Sequence, residues 1–120
     1  MKTNRLLRNG LIGLLAVIFV GSGVSKLLDD PNQLAVFQKA GYAHWFYELI
    51  GFGEVVAGVS LFWSQTRQYA LLLLAGIMFG AIGTHLRNGD GAVHYIAPVV
   101  IGVLLYVLNR THANSVRRPA

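Results

Sequence analysis

The sequence has 120 residues, 54% of them hydrophobic and 12% charged, with a formal net charge of +5 and no cysteine. A soluble domain carries about 25% charged residues, so this chain lacks a polar coat for water and its solvent is lipid. Without cysteine, disulfides, thiol catalysis and Cys-ligated zinc or iron–sulfur clusters are excluded, and the length suits one membrane domain over residues 1–120.

The basic residues sit between apolar runs instead of forming a stripe. Lys2, Arg5 and Arg8 precede the first run, Arg67 lies between two others, and Arg110, Arg117 and Arg118 follow the last. This is a topology pattern, so no nucleic-acid partner is expected. The first apolar segment covers residues 9–28. Its basic, apolar, small order is that of a signal peptide, but the run continues through Leu27 and Leu28 and more apolar segments follow. It is therefore read as a first membrane span, preceded by a tail over residues 1–8.

Residues 29–43 read DDPNQLAVFQKAGYA. Asp30 is a good N-cap, Pro31 suits the first helical position, and Gln33 would complete a capping box. Leu34, Phe37 and Gly41 follow helical spacing, and Gly41 can end the helix. The stretch predicts a short amphipathic helix on the interface, as a surface connector or as a lid.

Three further apolar segments cover residues 44–63, 68–86 and 93–108, the last near the short end of the range of about 17–25 residues for a span. They are continuously apolar instead of alternating, so helices are expected and not membrane strands. Short connections make them antiparallel neighbours. The predicted fold is all-α: an integral membrane four-helix bundle with a short interfacial helix between the first two spans, and a second tail over 109–120. Gly76-x-x-x-Gly80 reads first as close packing within the bundle, with a homo-oligomer seam as the alternative.

With the N-terminus cytoplasmic, seven basic residues fall inside (Lys2, Arg5, Arg8, Arg67, Arg110, Arg117, Arg118) and three outside (Lys26, Lys39, Arg87). The positive-inside rule thus puts both termini in the cytoplasm, in what is expected to be a bacterial inner membrane. Tyr42, Trp45, Phe46, Tyr47 and Tyr95 would mark the outer interface, and Phe62, Trp63, Tyr69 and Tyr106 the inner one.

Polar residues concentrate at the outer end: Ser22, Ser25 and Lys26 on the first span, Glu48 and Glu54 on the second, Thr84, His85 and Arg87 on the third, and His94 opening the fourth, with His44 and Asp90 near the same surface. Ionisable groups in spans cost at least about 2.5–3.5 kcal/mol and face the bundle interior in pairs. Glu54 shares a helical face with Gly51 and Gly58 and is aimed inward. Glu48, about 240° away around the helix, pairs at the rim. Lys26 is level with Glu48 and roughly 10 Å above Glu54, within partial reach of its long stem. Lys26, Glu54 and His85 are the ligand- or proton-binding candidates, with Glu48, Thr84, Arg87 and His94 secondary. No catalytic residue is assigned. His44, His85, His94 and Glu48 stand at loop edges without tight spacing, so no metal site is assigned. His85 and His94 flank one loop, which disfavours axial haem ligation.

GSGVSKLL in the first span, GFGEVVAGVSLF in the second and GIMFGAIGTHLRNG in the third together resemble the DoxX-like family of small membrane proteins, over roughly residues 10–108. The family's marks fall on Lys26, Glu54 and His85. The resemblance implies a four-helix membrane bundle with redox physiology through a quinone, a haem or a redox partner protein. Three functions stay open: a quinone- or lipid-headgroup-binding accessory subunit of a membrane redox system, a small proton-coupled transporter, and a structural or assembly subunit without catalysis.

Overall fold

The computed structural model describes residues 2–117, with side chains over residues 4–113. Among these the chain forms five α-helices and no strand: α1 (Lys2–Leu27), α2 (Pro31–Lys39), α3 (His44–Ser60), α4 (Ser64–Asn88) and α5 (Val93–Arg117). The expected tails are therefore helical continuations wherever they are described. Arg118 and residues 119–120 lie outside the described residues, as do the side chains of Lys2 and Arg117.

The segments Asn4–Leu27, Ser64–Asn88 and Val93–Ala113 are long and apolar enough to cross a membrane. The segment expected to be shortest, the last, is not. The short one is α3, whose 17 residues reach only about 25 Å at 1.5 Å per residue.

The four long helices form a ring. α1 packs against α3 and α5, and α4 packs against the same two. The α1–α3 seam is the closest, for a reason visible in both sequences. On α1, Phe19, Gly23 and Lys26 follow each other at spacings of four and three. On α3, Tyr47, Gly51, Glu54 and Gly58 do the same, and all seven are buried. The glycines let the two backbones meet. A Cβ on Gly51 would stand 2.7 Å from Lys26 Cβ and 3.0 Å from the Gly23 carbonyl, and one on Gly58 would stand 3.3 Å from Phe19 Cβ.

Gly76 and Gly80 differ from expectation. A Cβ on either would meet nothing within 4 Å, so they do not close a seam within the chain. They border a cavity instead.

The apolar core is confined to one end. Leu11, Leu15 and Phe19 of α1 meet Ala57 and Leu61 at the end of α3, Leu71 and Leu74 of α4, and Leu105 and Leu108 of α5. Toward the other end, α3 and α4 diverge and α2 lies across the opening.

α2 starts as expected, with Asp30 Oδ2 accepting from the Gln33 amide at 3.1 Å and Pro31 at the first position. It ends where Gly41 takes a left-handed φ of 84°. The Gln33 side chain, however, does not complete a capping box. It accepts hydrogen bonds from α1 instead.

The seam yields a comparison. Gly51→Ala forces backbone apart and should cost about 1–3 kcal/mol. Gly13→Ala has open space around its Cβ and should be neutral or stabilising by up to about 1 kcal/mol. Thermal unfolding of both variants in detergent checks this; equal melting temperatures would refute the close seam.

Candidate functional site

Lys26 and Glu54 meet across the α1–α3 seam. Lys26 Nζ lies 2.7 Å from Glu54 Oε1, with side chains only 9% and 2% exposed. The contact is an ion pair off the hydrogen-bond direction, so Oε1 keeps unfilled acceptor capacity. The ammonium also donates to Ser22 Oγ at 2.9 Å and Gln33 Oε1 at 2.6 Å. The ammonium thus makes two hydrogen bonds, to α1 and α2, and an ion pair to α3. Lys26 reaches Glu54 because Gly51 leaves room for its stem. Glu48 stays at the rim as expected, 3.5 Å from His44 Nδ1, while His44 Nε2 bonds Asp29 at 2.8 Å.

Removing one partner of a buried ion pair costs more than the pair itself contributes, because a lone charge stays behind. Lys26→Met should destabilise the protein by roughly 3–5 kcal/mol. Lys26→Met combined with Glu54→Gln should recover part of that loss. A double variant no more stable than Lys26→Met would show that the two groups do not interact.

Beside the ion pair lies a cavity of about 510 Å³. Ser22, Lys26, Gln33, Glu54, Thr84 and His85 supply its polar groups; Leu72, Leu73, Ile77 and Met78 of α4 line its apolar part. Val36 and Phe37 of α2 cover it, and Tyr42 and Phe46 complete the rim. Three contacts hold the cover and the turn after it to α4 and the loop that follows α4. Tyr42 Oη lies 3.1 Å from Thr84 Oγ1, and Asn88 Nδ2 donates to the Val36 carbonyl at 3.1 Å. Lys39 Nζ meets Asp90 Oδ1 at 3.1 Å. Thr84 Oγ1 donates to the Gly80 carbonyl at 2.8 Å, so the Tyr42 hydroxyl is the donor in their contact.

His85 does not touch Glu54. Its Nδ1 sits 2.8 Å from Asp90 Oδ2, and its ring stacks on His94. Hydrogen bonds from His85 and then Lys39 hold the Asp90 carboxyl below the usual carboxylate range. The candidates therefore divide. Lys26, Glu54, Thr84 and His85 converge on the cavity. Glu48 on α3 and His94 on α5 do not line it, and neither does Arg87, which is exposed.

Two sequence expectations fail on burial. Tyr47 does not mark an interface. It is fully buried on the seam face of α3, its hydroxyl 3.4 Å from the Asp30 carbonyl. Its spacing of four from Gly51 and seven from Glu54 already carried that signal. Arg67 is not a charge in a loop. It is 7% exposed, donates from Nε to the Leu61 carbonyl at 2.7 Å, and lies 3.3 Å from His112 Nδ1. There it caps the carbonyl end of α3, where the helix dipole favours a cation.

The DoxX-like family model matches residues 10–108. The chain belongs to the DoxX-like family. Curated proteins and solved structures gave no match. As a DoxX-like chain with three apolar helices of spanning length, it is an integral membrane protein.

Proposed function

We propose that this DoxX-like protein binds the polar head of a membrane amphiphile of the quinone class in its cavity, as an accessory subunit of a membrane redox system. In this reading α3 completes a four-span bundle. The basic end, with Arg5, Arg8, Arg67 and Arg110, faces the cytoplasm of a bacterial inner membrane. The supporting observation is a single space with two characters. Its volume of about 510 Å³ falls in the range of small-molecule pockets, about 300–1,000 Å³. One part offers charged and polar groups and the other a wall of aliphatic side chains.

The residues divide the work by their remaining hydrogen-bonding capacity. The Gln33 amide NH₂ is the donor left for a carbonyl oxygen, and His85 offers the ring nitrogen that does not face Asp90. Glu54 keeps acceptor capacity for a hydroxyl. Glu54 and His85 are the groups that exchange protons with the head. Lys26 supplies the positive charge that keeps a carboxylate in an apolar setting. Electrons come from a partner protein.

A structural subunit is the second reading, and one observation favours it: the Lys26 ammonium already has three partners within the chain. Organic extraction of protein purified in mild detergent separates the two. The quinone reading expects about one quinone per chain, lost in Gly76→Leu. That variant fills the cavity from a position whose Cβ meets nothing within 4 Å, so the fold survives. An extract of bulk phospholipid alone would leave the structural reading.

A further inference from the structure

Around the turn joining α4 to α5, Asp90 and His94 are donors that the headgroup reading does not use, and His85 adds the ring nitrogen that faces Asp90, Nδ1. His85 lies in the last turn of α4. Asp90 follows Gly89, whose left-handed φ of 68° turns the chain, and His94 lies in the first turn of α5. One donor atom from each of the three lies within 4.8 Å of the other two.

The carboxylate is already oriented. Asp90 Oδ2 faces His85 Nδ1 at 2.8 Å, while Oδ1 is held by Lys39 at 3.1 Å. Ligating carboxylates are commonly fixed in this way by an outer hydrogen bond. The two imidazoles lie 5.3 Å apart, centre to centre, with 29° between their planes. The side chains of His85 and Asp90 are only 14% and 12% exposed, so two of the three donors are held together before any ion arrives, and their contact opens by about half an ångström to admit one.

Ligand bonds of about 2.0–2.2 Å place tetrahedral donors about 3.3–3.5 Å apart. His94 must therefore move inward by about 1 Å. It is free to do so. His94 is exposed, and Pro98, four residues on, has no N–H to bond the His94 carbonyl. The turn that carries His94 is thus tied down by one hydrogen bond fewer than a regular helix.

We propose that His85, Asp90 and His94 bind a divalent transition metal of the zinc class at the mouth of the cavity, with a fourth position open. Two imidazoles and one carboxylate suit a borderline ion of this kind better than calcium or magnesium, which take oxygen ligands. The metal takes the space between His85 Nδ1 and Asp90, and a neutral ring that ligates through Nδ1 carries its proton on Nε2. Nε2–H is then a donor for the cavity, so the site is compatible with the headgroup reading and does not depend on it.

The test uses tag-free, full-length protein in detergent, stripped by a chelator and titrated with Co²⁺ while visible absorption is followed. The expected result is one Co²⁺ per chain with tetrahedral bands that Zn²⁺ abolishes. His94→Ala and Asp90→Asn should each weaken binding by about tenfold or more. Exposed His94 can be replaced without loss of fold, which an unchanged helical circular dichroism spectrum confirms. His44→Ala should leave the titration unchanged. That variant disables the other donor group, Asp29, His44 and Glu48. No saturable band, a titration that His94→Ala leaves intact, or one that His44→Ala abolishes would overturn the proposal. Quinone content is read separately by extraction, so either reading can fail alone.

Discussion

One ammonium and one carboxylate, buried against each other, set the way this molecule is assembled. Taking each ion out of water costs several kcal/mol, and their attraction offsets that only if the geometry is good and other hydrogen bonds help. Lys26 meets that condition by drawing on three helices. Ser22 comes from its own helix, Gln33 from α2 and Glu54 from α3. The placement of α2 follows from this demand. Once Gln33 is committed to the ammonium, the short helix must lie across the opening between α3 and α4. Glycines at 23, 51 and 58 are the complementary condition, because the ion pair closes only where the two backbones come near.

The two ends of the molecule solve the burial of charge differently. All five carboxylates of the sequence, Asp29, Asp30, Glu48, Glu54 and Asp90, belong to α2's end or to the upper part of α3. At the far end no acid is available, yet Arg67 is buried. It is satisfied by backbone carbonyls at the end of α3 and by His112. That end has the packed aliphatic core, while the acidic end has the cavity. The polar-lined space and the apolar core are thus separated along the axis, while an apolar cleft of about 520 Å³ runs between α4 and α5 beside the core.

Much of this was legible in the sequence, for identifiable reasons. Long apolar runs have few structural solutions, so the helices and their antiparallel order followed from length and short connections. An acid inside such a run has few options, so Glu54 could be aimed inward and given Lys26 as its partner. What escaped was the third dimension of short polar segments. Asp30 signalled the start of α2, but nothing in the local pattern said that Gln33 would turn away from its own helix. Arg67 looked like a boundary charge because the carbonyls that receive it are backbone, invisible in residue types. His85, Asp90 and His94 are spread over ten positions, and the turn at Gly89 brings them together. Gly76 and Gly80 carried a packing motif whose partner surface is absent among the described residues.

The unequal lengths of the helices have a consequence for the surrounding lipid. α3, at 17 residues, stands beside α4 at 25. The hydrocarbon layer is about 30 Å thick, and the apolar side chains that α3 turns outward, Phe52, Val56 and Val59, cover less than that height. Mismatch of this kind is relieved by tilting the protein or thinning the bilayer. Here it is confined to one flank, so the deformation has a direction. In the four-span reading the molecule leans toward its short side, and the bilayer thins along that flank.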